Sequence, residues 1–185
     1  MLVALREQEG IAARALEFTI LTAARTGETI GAIWGEVTLS AKLWTVPADR
    51  MKARKEHRIP LSARALAVLE EVRSVRASES KFIFPGGKVG RPLSNMAMTE
   101  VMRRMGWGDI TVHGFRSTFR DWAAERTSFP SEVVEMALAH TVSDKVEAAY
   151  RRGDLFEKRR RLMDVWAGFC AKPVAAGAVV ALRTG

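Results

Sequence analysis

Tyr150 is the only tyrosine among 185 residues, and it stands directly before Arg151 and Arg152, with four more cations at residues 158–161. A lone tyrosine usually serves as an amphipathic aromatic at the edge of a helix. A phenol beside this much positive charge has a second interpretation, a nucleophile that attacks a polyanion. The rest of the chain has to decide between the two.

A second group of candidates lies in the segment HGFRSTFRDWAAERT, which predicts the best-defined helix of the chain. Three aromatic residues share one face of it: Phe115, Phe119 and Trp122. His113, Arg116 and Arg120 lie roughly opposite them, with His113 and Arg116 one turn apart. An H-x-x-R spacing is common by chance, but here the aromatic face would hold the polar groups on a rigid element.

Two further candidates stand at the ends of apolar helices. Arg25 closes one such helix, and a buried arginine is costly unless it is paired. It therefore either forms an ion pair with Glu28 or faces an anion in a cleft, and its position alone favours the ion pair. His140 follows EMALA and is typical of a histidine at a helix end.

The segment DRMKARKEHRIP holds five cations between two strand-like runs: Arg50, Lys52, Arg54, Lys55 and Arg58. A charge run seen alone usually indicates a solvated loop. The functional alternative is a hairpin tip that enters a DNA groove, with Lys52 near the bases or near the leaving oxygen.

Composition limits the classes of protein that remain. The formal charge of +8 and the pI near 10.2 favour a nucleic acid or another polyanion as partner. The single cysteine, Cys170, excludes a disulfide framework within the chain and fits a reducing cytoplasm. The sequence contains no phosphate-binding glycine loop, no metal-ligand cluster and no 18-residue apolar run. We therefore expect no cofactor, no metal ion and no membrane span.

Hydrophobic periodicity predicts an α+β fold, mainly helical, with one small antiparallel three-stranded sheet. The strands are expected at residues 37–39, 43–46 and 57–61. Residues 26–28 are expected to break the chain between two helices. The expected helices cover residues 11–24, 29–34, 62–77, 94–105, the His113 segment and 133–139. A last helix is expected after Tyr150, with Leu162, Trp166 and Phe169 as its apolar stripe. We assign residues 1–170 to one domain and residues 171–185 to an apolar tail, mobile or docked on a neighbouring subunit.

In order, the candidates are Arg25, Lys52, His113, Arg116, His140 and Tyr150. This series resembles the tyrosine recombinases, and within them the integrases of phages and genomic islands. The resemblance is carried by LTAARTGETIGAIW, MKARKEHRIPLS, HGFRSTFRDWAAE, EMALAH and AAYRRGDLFEKRRRLMDVWA, and it spans nearly the whole chain. Members carry DNA-binding domains upstream, and this chain begins where the catalytic domain begins, as an excised domain or a truncated gene would.

The resemblance implies a catalytic domain that integrates or excises a mobile element, such as a prophage, through a 3′-phosphotyrosyl intermediate on Tyr150. Arg25 and Arg116 would hold the phosphate, His113 would act as base, Lys52 as acid, and His140 would bond a phosphate oxygen. The expected DNA contacts are Arg50, Arg54, Lys55, Arg58, Arg120, Arg151 and Arg152. The expected partner is double-stranded DNA, with a homotetramer for the full-length protein and a monomer for this chain, in the bacterial cytoplasm at the nucleoid.

Two alternatives stay open. A type IB topoisomerase uses nearly the same residues and differs in strand exchange and assembly. A basic DNA-binding module without catalysis, in which Tyr150 merely packs, would have no reason to hold the two arginines, the lysine and the two histidines in this order, so it ranks last.

Overall fold

The computed structural model describes residues 1–75, 80–140 and 153–172 of the chain. In these ranges three helices precede a small sheet and five follow it. The helices are α1 (Leu2–Arg6), α2 (Ile11–Thr22), α3 (Thr26–Ile30), α4 (Ala63–Ser74), α5 (Ala97–Arg104), α6 (Gly114–Arg126), α7 (Ser131–Ala137) and α8 (Phe156–Ala171). The mainly helical α+β fold expected from the sequence is confirmed. Among the described helices, none combines the length and the apolar character that a membrane crossing needs.

The sheet has three antiparallel strands in the order β1 (Val37–Thr38), β2 (Leu43–Val46) and β3 (His57–Pro60). In the central strand β2, Trp44 and Val46 are buried and alternate with half-buried neighbours, which is the pattern of a sheet with one face on the core. A tight turn joins β1 to β2, and residues 47–56 join β2 to β3. The expected three-stranded sheet with its basic connection is therefore confirmed.

Helix α2 is the centre of the core. Nine of its twelve residues are buried, because it packs against helices on several sides, among them α4, α5 and α8. The ring of Phe18 lies 5.3 Å from that of Trp44 in the sheet and 5.5 Å from that of Phe84. This packing fixes the end of α2, where Arg25 follows.

An aromatic cluster joins α6 to α8. Trp166 of α8 lies with its ring centroid 5.3 Å from Phe119 and 4.9 Å from Trp122, both on α6. The indole N–H of Trp166 donates to the carbonyl oxygen of Ile20 at 2.8 Å, so the same residue also ties α8 to α2. The aromatic face expected for α6 is thus buried as predicted at Phe119 and Trp122.

Two expectations about the elements are wrong in detail. Residues 26–28 do not break the chain: they form the first turn of α3, which ends at Ile30 instead of covering 29–34. Helix α5 begins at Ala97 and not at Ser94. In the apolar stripe expected on α8, Leu162 and Trp166 are buried, and Phe169 stacks on Trp166 at the rim of the cluster, 43% exposed.

Candidate active site

One cleft of about 590 Å³ brings together five of the six residues predicted to be catalytic. Its predicted members are Arg25, Lys52, His113, Arg116 and His140. They come from four different places in the fold: the α2–α3 junction, the β2–β3 connection, the start of α6 and the end of α7. Tyr150, Arg151 and Arg152 lie outside the described residues.

Arg116 is the most unusual group in the cleft. It is 5% exposed, and its guanidinium donates to the carbonyl oxygens of Ala23 and Leu138, the latter at 2.6 Å. Its Nε is buried without a hydrogen-bond partner in the described part of the chain, and no ion pair is recorded for it there. Burial, with a contribution from the charge of Arg25, lowers the pKa of Arg116 to about 10, so it still carries its charge at neutral pH. Because a buried positive charge is costly unless it is paired, this position is suited to binding an anion.

Two helix ends hold Arg116 in place. Ala23 is the C-cap of α2, in the left-handed conformation with φ 50°, and Leu138 is the C-cap of α7. The last carbonyl groups of a helix lack partners within the helix and carry the negative end of its dipole. They therefore orient the guanidinium without neutralising it as a carboxylate would.

Arg25 combines the two interpretations that its sequence position left open. Its Nη1 lies 2.7 Å from Oε1 of Glu28, so the expected ion pair is confirmed. The other oxygen of Glu28 accepts from the backbone N–H of Arg25 at 2.8 Å and thereby caps the start of α3. Because Glu28 is buried, the pair holds Arg25 at the wall of the cleft, where its Nη2 lies 3.5 Å from the carbonyl oxygen of Leu138.

The two histidines of the cleft differ in their supports. His113 is exposed and forms the N-cap of α6, one turn before Arg116. His140 lies after α7, with Nδ1 2.6 Å from Oε2 of Glu135 and Nε2 3.4 Å from Nη2 of Arg116. Sequence patterns did not single out Glu135, because its contact with His140 depends on how the chain turns after α7.

Lys52 is exposed on the β2–β3 connection, where it also lines a second, adjoining cavity of about 500 Å³ together with Arg54. Lys55 is exposed on the same connection. Arg50 points inward instead: its guanidinium donates to Glu36 and to the carbonyl oxygen of Glu28.

The remaining expected DNA contacts in the described ranges already have protein partners. Arg58 pairs with Asp154 at 3.2 Å and lies over the ring of Phe156, and Arg120 pairs with Glu135 at 2.7 Å. As contacts to DNA, these positions stay predictions.

His57 is a second residue that the sequence did not single out. It starts β3, and its Nε2 lies 3.2 Å from the carbonyl oxygen of Ala137, which ends α7. Burial, and next the charge of Arg159, lowers the pKa of His57 to about 4, so the ring is neutral at pH 7 and donates its Nε2–H. The contact fixes the base of the β2–β3 connection, and hence Lys52, to the corner that carries His140.

A buried arginine anchors the chain after residues 141–152. Arg159 of α8 donates to the carbonyl oxygen and to Oδ2 of Asp154, both at 2.7 Å, and to the carbonyl oxygen of Arg58 in β3. Asp154 and the start of α8 are therefore joined to β3 of the sheet. Among the described residues, no group of His, Cys, Asp and Glu side chains is arranged to hold a metal ion.

The cleft residues lie in a stretch of sequence that matches a known protein family. Residues 3–155 match the sequence profile of the phage integrase family, and this range contains all six residues predicted to be catalytic. The chain belongs to this family. Its resemblance to the phage integrases, expected from the sequence, is thereby confirmed.

The relatives of this family member include prophage integrases. It is 37% identical over 163 residues to the prophage integrase IntA of Escherichia coli (strain K12) and 30% identical over 166 residues to the integrase of Shigella phage Sf6. These alignments take in 87% and 89% of this chain but 39% and 42% of the relatives. The chain therefore spans about two fifths of the length of these relatives.

Two solved structures share its fold. The integrase from mycobacterium phage Brujita matches with a TM-score of 0.63 at 16% identity, over 85% of this chain and 52% of that one. The XerA recombinase matches with a TM-score of 0.53 at 14% identity, over 90% of this chain and 65% of that one. At these identities the similarity concerns the fold alone.

Proposed function

We propose that this phage-integrase family member cuts and rejoins DNA in site-specific recombination, to integrate or excise a mobile element. The observation that carries the proposal is Arg116, a buried cation without a carboxylate partner among the described residues, in a cleft with four other basic side chains. Such a cleft fits a phosphodiester, whose charge grows on the non-bridging oxygens during attack. The family and its integrase relatives support the same reaction.

The two arginines form the electrostatic part of the site. Arg25 and Arg116 would donate forked, charge-assisted hydrogen bonds to the non-bridging oxygens, and lysine cannot reproduce that geometry. The protein contacts of both arginines fix them before the substrate binds, so little reorganisation is needed in the transition state.

In the proposed step, the oxygen of Tyr150 attacks phosphorus, a 3′-phosphotyrosyl bond forms, and the bond to the 5′ oxygen breaks. A free phenol has a pKa near ~10, so His113 would take its proton. Lys52 would give a proton to the departing 5′ oxygen, and His140 would hydrogen-bond a phosphate oxygen. Because the covalent link keeps the energy of the phosphodiester, ligation reverses these transfers and needs no ATP.

Double-stranded DNA is the partner that this reaction requires. The charge of +8 and the exposed cations Lys52, Arg54 and Lys55 beside the cleft support it. We place recombination in a homotetramer of full-length protein, acting at the nucleoid of a bacterial cytoplasm, and expect this chain alone to be monomeric. The relatives named above are integrases and a recombinase, and none of them supports the topoisomerase alternative.

The decisive experiment replaces Tyr150 with phenylalanine, which removes the attacking oxygen and leaves the shape of the ring almost unchanged. The substrate is DNA with a nick just 3′ of the scissile phosphate, so that the short 5′-hydroxyl strand diffuses away and the covalent adduct accumulates. In EDTA-containing buffer, denaturing gels should show the adduct for the wild type and none for Tyr150→Phe.

DNA binding by both proteins, measured by fluorescence anisotropy, is the control for folding. The chain has no second tyrosine that could substitute. An adduct that persists in Tyr150→Phe, or a wild type that binds DNA and never forms an adduct on its cognate site, would refute the proposed reaction.

A further inference from the structure

Glu135 makes two contacts with His140 and one with Arg120. Its Oε2 lies 2.6 Å from Nδ1 of His140, and its backbone carbonyl accepts from the backbone N–H of the same residue at 3.0 Å. Its Oε1 accepts from Nε of Arg120 at 2.7 Å. Both oxygens of the carboxylate are therefore occupied, and both the backbone and the ring of His140 are fixed to one residue.

The contact at Nδ1 decides which nitrogen of the His140 ring carries the proton. A carboxylate can only accept, so Nδ1 must be the N–H that donates to it. Nε2 is then left to face the cleft, 3.4 Å from Nη2 of Arg116. There it accepts when the ring is neutral and donates when the ring carries a second proton.

Glu135 is ionised at neutral pH. Burial raises its pKa, but hydrogen bonds from His140 and Arg120 outweigh burial, so the pKa lies below its usual range. Of the described residues that line the cleft, Glu135 is the one carboxylate. The other charged or titratable groups that line the cleft are Arg25, Lys52, His113, Arg116 and His140. A single anion in such surroundings attracts the nearest imidazole, and the ring of His140 is the one in contact with it.

We propose that Glu135 is a positioning residue, which sets the tautomer and the ring orientation of His140 so that Nε2 faces the scissile phosphate. Arg120 holds the carboxylate of Glu135 and acts through it, although its sequence position suggested a contact to DNA. The inference rests on the proposed function, because it has Nε2 of His140, when the ring carries its second proton, donate to a phosphate oxygen. Partners that orient a metal-ligating histidine in this way typically change metal affinity or activity by about 10- to 100-fold, and we expect an effect of the same order here.

The first test needs neither DNA nor cleavage. The chain contains three histidines, so a ¹⁵N-histidine spectrum shows three imidazoles, and His140→Gln identifies the signal of His140. At alkaline pH we expect the Nδ1–H tautomer in the wild type. In Glu135→Ala we expect the Nε2–H tautomer, which a free imidazole in water prefers. Glu125→Ala, an equal change at an exposed position of α6, should leave the spectrum unaltered. An Nε2–H tautomer at His140 in the wild type would overturn the inference.

The second test measures single-turnover cleavage of the nicked substrate at saturating DNA. We expect Glu135→Ala to lower the rate by about 10- to 100-fold with unchanged DNA affinity, and Glu125→Ala to match the wild type. Glu135→Gln should retain more activity than Glu135→Ala, because its amide oxygen can still accept from Nδ1. Wild-type rates in Glu135→Ala would contradict the inference. If the wild type formed no adduct, the proposed function would fail, and the tautomer experiment would still decide the role of Glu135.

Discussion

The stability of the protein should depend on pH through His57 between about pH 7.5 and pH 5. In the fold, the buried ring donates from Nε2 to the carbonyl oxygen of Ala137, and burial lowers its pKa from 6.5 to about 4. Below pH 6.5 the unfolded chain therefore binds a proton at this residue that the folded chain does not. The contribution of His57 to the free energy of unfolding is therefore complete above about pH 6.5, and it should be lost as the pH falls towards 4.

The expected loss can be worked out from the two pKa values. Between about pH 7.5 and pH 5 the free energy of unfolding should fall by about 2 kcal/mol, and the full loss below both pKa values is about 3 kcal/mol. Three carboxylates also contribute at low pH: Glu17, Glu71 and Glu135. Burial raises the pKa of each, but hydrogen bonds outweigh burial and leave it below 4.5, so their contribution is lost mainly below about pH 5.

Urea unfolding followed by tryptophan fluorescence, at several pH values from about 7.5 to 5, measures this loss. The matched variant is His57→Gln, whose side-chain amide can donate to the carbonyl of Ala137 but does not titrate. Its stability should change much less over the same range, whatever its value at neutral pH. If the wild type and His57→Gln lost stability in parallel, the buried neutral imidazole would not be the cause, and the reasoning would be refuted.

Two further results are expected from the charges around the cleft. Arg25→Ala should reduce the rate of single-turnover cleavage by on the order of a hundredfold, which corresponds to about 3 kcal/mol. Arg25→Lys should restore little of this rate, because lysine lacks the forked guanidinium that also binds Glu28. Near-normal cleavage by Arg25→Ala would mean that Arg25 serves only in its ion pair with Glu28. DNA affinity should fall steeply as the salt concentration rises. Arg54→Gln or Lys55→Gln should each reduce the slope of log affinity against log salt concentration by roughly 1. Arg103→Gln, which removes an exposed ion pair on α5, should leave this slope unchanged. Equal slopes in all of these proteins would remove the β2–β3 connection from the DNA interface.

The sequence predicted well what depends on neighbouring residues. The 3.6-residue period placed Phe119 and Trp122 on the buried face of α6, and the alternation of apolar residues located β2. Arg116, which was expected roughly opposite that face together with His113, is itself buried. The ion pair of Arg25 with Glu28 was expected because only three positions separate them. The chain order of the motifs predicted the family.

The supports of the site could not be predicted, because they join distant parts of the chain. Arg116 binds the carbonyl of Ala23 across 93 positions, and His57 binds that of Ala137 across 80. Every residue type has a backbone carbonyl, so residue types do not indicate which helix ends bring their carbonyls together around one side chain. The prediction for the start of α3 was wrong for a related reason. The run Thr-Gly-Glu is typical of a break, but the carboxylate of Glu28 caps the backbone, so these residues form the first turn of the helix.

The contact between Trp122 and Trp166 gives the protein an optical signal of its own. Two indoles with centroids 4.9 Å apart couple their electronic transitions, so they should produce a pair of bands of opposite sign in the far-ultraviolet circular dichroism spectrum. Trp122 shares α6 with Arg116, and Trp166 lies on α8, the first described helix after Tyr150 in the sequence. The amplitude of this couplet would therefore report, without any label, whether α8 stays packed on α6 when DNA is added.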